Sequence, residues 1–288
     1  MRISIASGKG GAGKTTIATS LAVLGTERGL SITYLDCDVE EPDAHLFLHP
    51  TPGEEQVVTV PVPQVDEQTC RVAGVCGDCG QACQFSAIIA LGEQVLVTPD
   101  LCHGCGACVL ACPAKAIHET PHRVGVVQTG QAGRIHLVQG RLDVGQTMAA
   151  RVVRRVKALA PAADLVLADA PPGTACPALE AVRGSDLVLL VTEATPFGFH
   201  DFTLAVAMGR ALNLRMATVL NRVDGYGRDI RAWCAGHGVP ILAEIPTSRR
   251  VAQLYAHGKL PIRKDPEFRG RVEQLFGRLV GTAGVLQR

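Results

Sequence analysis

Net charge is what this sequence has least of. Its 28 Lys and Arg against 27 Asp and Glu leave a formal charge of +1 over 288 residues. No whole-molecule field therefore points to nucleic acid or to an anionic membrane surface. Nor is there an apolar run long enough to span a bilayer. The start, Met1-Arg-Ile-Ser-Ile-Ala-Ser-Gly-Lys, has none of the apolar stretch that defines a secretion signal. A cytoplasmic chain with no nucleic-acid partner is expected. No low-complexity segment is visible. What the sequence does have is a 47% hydrophobic content, enough for a large core, and eleven cysteines. In a reducing compartment those cysteines read better as metal ligands than as disulfides.

The cysteines also show the organisation. Eight of the eleven lie between Cys70 and Cys112, while Cys37, Cys176 and Cys234 stand apart. On either side, short apolar runs alternate with helical periodicity. Strands are expected at 2–6, 31–36, 164–168, 187–192, 216–220 and 241–245, with helices at 15–28 and 146–159. That alternation implies a doubly wound α/β fold with a mostly parallel sheet. The cysteine-rich stretch breaks the rhythm and reads as an insertion. The expected domains are a first α/β part at 1–61, an inserted module at 62–117 and a second α/β part at 118–288.

The first chemical motif is Gly8-Lys9-Gly10-Gly11-Ala12-Gly13-Lys14-Thr15, followed by Thr16. It fits G-x-x-x-x-G-K-[ST] between an expected strand and helix. Glycines let backbone N–H groups turn inward around phosphate oxygens, and the helix N-terminus adds its dipole. Lys14 is expected on the β- and γ-phosphates and Thr15 on Mg²⁺. Gly8, Gly10 and Gly13 also satisfy the dinucleotide pattern G-x-G-x-x-G, with Asp36 about 20 residues on. Lys14-Thr15 argues for the phosphate loop, because a dinucleotide offers no γ-phosphate or Mg²⁺.

Two acidic sites follow. Asp36-Cys37-Asp38 ends the second strand, where one carboxylate could orient an attacking water; a pair of solvated turn aspartates is the plainer reading. Asp169 ends the run Leu165-Val166-Leu167-Ala168, the arrangement that holds Mg²⁺ through water. Pro171-Pro172-Gly173 after it would bring Gly173 near the γ-phosphate.

Within the insert, Cys102-x2-Cys105-x2-Cys108-x3-Cys112-Pro113 is the bacterial ferredoxin run. The earlier run is Cys70-x5-Cys76-x2-Cys79-x3-Cys83, its first gap longer than usual. In two-cluster ferredoxins the fourth Cys of each run serves the other cluster. Cys70, Cys76, Cys79 and Cys112 would then hold one 4Fe–4S cluster, and Cys102, Cys105, Cys108 and Cys83 the second. A structural zinc site would use four of these and leave four unexplained. His103 reads as a solvated side chain.

With Lys9 inside its loop, the chain resembles the MinD/ParA/Mrp/nitrogenase iron protein group of P-loop ATPases, and in particular MinD-like members carrying an inserted ferredoxin domain. The likeness runs through Leu35 to Pro42, Asp169 to Thr174, Val191 to Gly198 and Leu220-Asn221-Arg222. It implies ATP and Mg²⁺ as cofactors, and a homodimer, or a heterodimer with a related ATPase, closing on two ATPs. It further implies that Lys9 reaches the partner's phosphates, that Asp38 is the catalytic aspartate and that Asn221 contacts adenine. Asp43 and Ala170 depart from the family pattern. Asn221-Arg222-Val223-Asp224 also resembles the guanine-reading motif of GTPases; the resemblance favours ATP, while the residues alone leave the base open.

Cys176, after Asp169, could be a ligand shared across a dimer, but a small buried side chain is the expected reading. Phe268 to Leu286 has helical spacing that suits either a packed terminal helix or a membrane-binding one; the membrane reading is the less favoured. The expected function is ATP hydrolysis coupled to electron transfer with a partner redox protein. The alternatives are an Mrp-type iron–sulfur carrier and a MinD-like positioning ATPase.

Overall fold

A computed structural model describes residues 1–72, 74, 76–92, 94–224 and 227–283. Its strands are β1 (Arg2–Ala6), β2 (Ile32–Asp36), β3 (Thr51–Val65), β4 (Ile88–Leu91), β5 (Gln94–Val97), β6 (Ile117–Ala132), β7 (Ile135–Leu142), β8 (Leu165–Asp169), β9 (Leu187–Glu193), β10 (Met216–Val223) and β11 (Ile241–Pro246). Nine of them form one sheet in the order β11-β10-β9-β1-β8-β2-β7-β6-β3, and β4 and β5 pair separately. The pairs from β11 through β7 are parallel.

Every strand expected from periodicity is present. β1, β2, β8 and β9 are buried nearly throughout, as strands covered on both faces must be. The expected helix at 146–159 is shorter, Ala149–Ala158. Three long strands, β3, β6 and β7, were not anticipated. β3 alternates buried Val58, Val60 and Val62 with exposed Val57, Thr59 and Pro61, a period-2 signal. Its prolines, Pro52, Pro61 and Pro63, are tolerated because β3 ends the sheet order, where a missing N–H breaks no ladder on the outer side.

The chain divides into two compact units, Met1–Glu55 with Val127–Arg141 and Val153–Arg288, and Gln56–Val126 with Leu142–Val152. The stretch expected as an insertion, 62–117, lies within the second. The first unit has a broad core that includes Ile5, Ile17, Leu21, Tyr34, Leu167 and Leu189. The terminal helix Pro266–Ala283 places Phe268, Val272, Leu275, Phe276 and Leu279 in that core. Its apolar periodicity is thus explained by packing on the protein; Leu286 lies outside the described residues. Among the described residues, no helix is long and apolar enough to cross a membrane.

Candidate functional site

The glycine loop sits between β1 and the helix Lys14–Glu27. Gly11 (φ 74°) and Gly13 (φ 97°) take left-handed backbone angles that L side chains resist, and Gly13 caps the helix. A methyl group at Gly8 would overlap the backbone carbonyl of Asp201, so this position admits only glycine without rearrangement. Ser7 Oγ donates to the Lys9 carbonyl at 2.6 Å, and the Gly173 N–H donates to the Ser7 carbonyl at 2.9 Å. Gly173 is thereby held at the loop. Gly10, Gly11, Gly13, Lys14, Thr15 and Thr16 line a cavity of about 320 Å³, joined by Asp38, Asp43 and Tyr255 among others. The Lys14 residue is 6% exposed.

The strand register explains the acids. Asp36 on β2 lies directly opposite Asp169 on β8. Both are buried. Asp36 is not a solvated turn residue: its carboxylate accepts from the N–H groups of Asp38 and Ala44 at 3.3 and 3.1 Å, folding the following segment back. Burial pushes Asp169 up to about 7, opposed by the Lys14 charge and by the Thr15 and Tyr34 hydroxyls. Tyr34 donates to its Oδ2 at 2.9 Å, while Oδ1 is buried with no hydrogen-bond partner among the described residues. A buried carboxylate oxygen left free beside Thr15 suits a Mg²⁺ held through water. Asp38 is half-buried, and burial raises it to about 6, with Lys14 opposing.

Lys9 behaves differently from Lys14. Its Nζ donates to Glu193 Oε2 at 2.6 Å, and Arg222 Nη1 donates to Glu193 Oε1 at 2.6 Å. Burial pushes the Glu193 carboxyl up, but Lys9 and Arg222 outweigh it and the net shift is downward. Asn221 donates from Nδ2 to the Ala12 carbonyl at 2.8 Å, bracing the loop from β10.

A sequence model of the CobQ/CobB/MinD/ParA nucleotide-binding domain matches residues 3–262. The chain belongs to that family. Two uncharacterised proteins of Methanocaldococcus jannaschii are similar to it. One is 27% identical over 97% of this chain and 98% of its own length; the other is 31% identical over 85% and 86%. In fold it is similar to the Pyrococcus horikoshii septum site-determining protein MinD complexed with Mg-ADP (TM-score 0.61, 21% identity, 99% and 97% of the two chains). The Pyrococcus furiosus cell division ATPase MinD is similar too (0.59, 22%, 98% and 98%). The large, mostly parallel sheet with its loop at β1 is therefore the MinD-type nucleotide-binding fold.

The second unit of this CobQ/MinD/ParA-family chain carries the eight clustered cysteines, and its backbone repeats. Gly77 (φ 84°) and Gly106 (φ 71°) each cap a short helix, Asp78–Ala82 and Ala107–Ala111. Cys79 and Cys108 are buried inside these helices. Cys83 and Cys112 follow them, and each sulfur accepts a backbone N–H at 3.3 Å, from Ala87 and Ala116 respectively. Ser86 and Lys115, one residue earlier, share the same unusual φ of 53°. Cys102 Sγ accepts from the Gly104 N–H at 3.4 Å. Burial pushes the Cys83 thiol up, but the surrounding N–H groups of Phe85, Ala87, Ile88 and Ser86 bring it below its ordinary value. Burial raises Cys79, with Cys70 and Cys76 near enough to add to the rise; Cys108 is raised likewise, with Cys102 and Cys105 adding. Cys83, Cys102, Cys105 and Cys108 line one cavity. Among the described residues, no three His, Cys, Asp or Glu side chains gather around a point where a metal ion could sit.

One expectation needs correction. Cys176 is exposed rather than buried, because it opens the helix Cys176–Val182 straight after the Gly173 turn. His103 is exposed, as expected, and its ring also stacks on Phe85 at 3.6 Å between centroids. Asn221 also braces the loop through the Ala12 carbonyl, a contact that the resemblance did not anticipate. Tyr255 and Glu193 were missed as site residues. Tyr255 donates to Asp43 Oδ2 at 2.8 Å across more than two hundred residues of sequence, and no local pattern marks it.

Proposed function

We propose that this protein is an ATP-binding and ATP-hydrolysing switch of the MinD type whose second unit holds two 4Fe–4S clusters. One observation carries the ATPase reading: Lys14, Thr15 and Asp38 line a single cavity, and buried Asp169 beside Thr15 keeps one carboxylate oxygen free. The loop N–H groups and Lys14 hold the phosphoryl oxygens, which removes charge from the transferring group. Thr15 and Asp169 would hold Mg²⁺, which supplies further charge neutralisation. Asp38 accepts a hydrogen bond from the attacking water and orients it. Gly173, tied to Ser7, reports loss of the γ-phosphate to the helix beyond. Asn221 and Arg222 would meet the base, and ATP is the favoured nucleotide. Lys9 leaves Glu193 and reaches the partner's phosphates when two subunits, identical or related, close on ATP. Competition binding should rank ATP above GTP, and sedimentation with a non-hydrolysable ATP analogue should give a dimer that Lys9→Ala weakens. A monomer with full activity would remove the trans role of Lys9.

Among the candidate functions, the MinD-like positioning ATPase fits the family and fold better than electron transfer does. Electron transfer toward a redox or iron–sulfur partner is the further reading, and it rests on the cysteine unit. Its support is that Cys83, Cys102, Cys105 and Cys108 line one cavity, and that N–H groups meet Cys83, Cys102 and Cys112. Such N–H groups stabilise anionic sulfur and tune reduction potential. Cys102, Cys105, Cys108 and Cys83 would hold one cluster, and Cys70, Cys76, Cys79 and Cys112 the other; bound clusters supply one-electron chemistry. Anaerobically purified protein should contain about eight irons per chain. Stoichiometric zinc without iron after anaerobic reconstitution would defeat the cluster reading. Clusters that pass readily to an acceptor apoprotein would favour the Mrp-type carrier instead. The thiols, all free, suit a cytoplasmic location.

A further inference from the structure

Beside the nucleotide cavity, and larger than it, the first unit has a second cavity of about 610 Å³. Its size is that of a site for a small organic molecule rather than a bare ion. Its wall contains Arg141, His45, His49 and Gln139, with Pro42 and Leu137 supplying apolar surface. Among the described residues, no carboxylate lines it. Arg141 is exposed and has no hydrogen-bond or ion-pair partner among the described residues. An arginine in a concave, acid-free wall is a bidentate receptor for a carboxylate.

Two further observations point to a ligand. Gln139 Oε1 and His45 Nδ1 are buried and have no hydrogen-bond partner among the described residues. Unsatisfied buried polar atoms are costly and call for an explanation. Both belong to residues in this wall. The carbonyl oxygen of Gln139 can only accept, so the missing group is a donor. The second observation is position. Gln139 on β7 is in register with Asp36 on β2, at the carboxyl end of the parallel strands, where ligands bind in open α/β sheets. The segment 41–49 separates the two cavities: Glu41 and Asp43 line the nucleotide side, while Pro42, His45 and His49 line the other.

We infer that this cavity binds a small organic acid that also carries a hydroxyl or amino group. The carboxylate pairs with Arg141, the histidines donate to its remaining oxygens, and the hydroxyl or amino group donates to Gln139. The site stands apart from both the ATPase and the iron–sulfur readings and survives the failure of either.

The test uses the whole protein, with and without saturating Mg-ADP so that the phosphate loop cannot account for binding. Imidazole NMR signals of His45 and His49, assigned through His45→Gln and His49→Gln, are followed during titration with acetate, lactate, malate, glutamate and malate diamide. At least one hydroxy or amino acid should move both signals saturably, and the diamide should not. Arg141→Gln should weaken that binding at least ~10-fold, the size of one lost charge-assisted contact. Arg141→Lys should restore part of it, and Arg71→Gln should change nothing. Unchanged Mg-ADP affinity in the Arg141 variants would show that they fold. The inference fails if no acid moves the two signals, if Arg141→Gln binds as the wild type does, or if acetate binds as tightly as the best acid.

Discussion

The nucleotide loop and the cysteine unit are built on opposite plans. The loop is held by the protein alone: Asn221 braces Ala12, Gly173 is tied to Ser7, and a broad apolar core lies beneath. In the cysteine unit, the cluster of buried residues around the two short helices is Cys79, Ile88, Cys108 and Ile117. Half of that core is thiol. Clusters bound as proposed would staple this part of the chain. The first site is formed before its ligand arrives; the second, on the proposed cluster reading, would be held by its ligand.

The sharpest way to break this comparison is to strip iron. If the proposed clusters are bound, chelation under reducing conditions should remove hydrogen-exchange protection in 76–92 and 99–117, because their binding energy would be folding energy there. Protection in β1, β8 and β9, and Mg-ADP binding, should persist. A cysteine unit that stays protected without iron would show that its core suffices, and the contrast would be wrong.

Next in size is Lys14→Ala. A cation that stabilises charge on the transferring phosphoryl group is worth at least ~100-fold in turnover. Because the loop is preformed, the variant should keep its thermal midpoint while losing phosphate release. Retained wild-type hydrolysis would remove the loop from catalysis.

A preformed charged site is also held at a cost, and pH reads that cost. Burial raises Asp38 from the ordinary aspartate value of 3.8 to about 6. The folded protein therefore binds a proton more tightly than the unfolded chain does, and stability falls as pH rises through that interval, levelling off above it. In nucleotide-free protein, Asp38→Asn should raise the thermal midpoint more at pH 8 than at pH 5. An equal gain at both values, or a loss at pH 8, would mean that the carboxylate is not destabilising the empty site.

Much of this was legible in the sequence, for physical reasons that differ by element. β1, β2, β8 and β9 are buried on both faces, so composition alone marked them. Gly8 to Thr15 was legible because phosphate binding demands that backbone. β3, β6 and β7 were hidden: the prolines of β3 read as breakers, and only its edge position makes them harmless. The recurrence of positive φ at Ser86 and Lys115 was equally invisible, since neither residue type announces it. Tyr255 and Glu193 reach their partners through tertiary contacts that no local pattern encodes.

The smallest expected effect concerns coupling between the two regions. The chain leaves Asp38 through the segment 41–49 into β3, enters the cysteine unit, and returns through β6 and β7 toward Asp169. Asp38 and Gly173 both face the γ-phosphate in the proposed mechanism, so ATP binding would act on the segments that lead from and back to them. Coupling free energies between sites are typically ~1–3 kcal/mol and are reciprocal for binding. For a one-electron couple, about 1.4 kcal/mol corresponds to about 59 mV. Mg-ATP should therefore move a cluster potential by some tens of millivolts, and reduction should change ATP affinity by the matching factor. Redox titrations with and without a non-hydrolysable analogue measure the first, and nucleotide binding to oxidised and reduced protein measures the second. Agreement between the two would make the cysteine unit part of the switch. Superimposable redox titrations, with ATP affinity indifferent to reduction, would leave two regions that share a chain and nothing more.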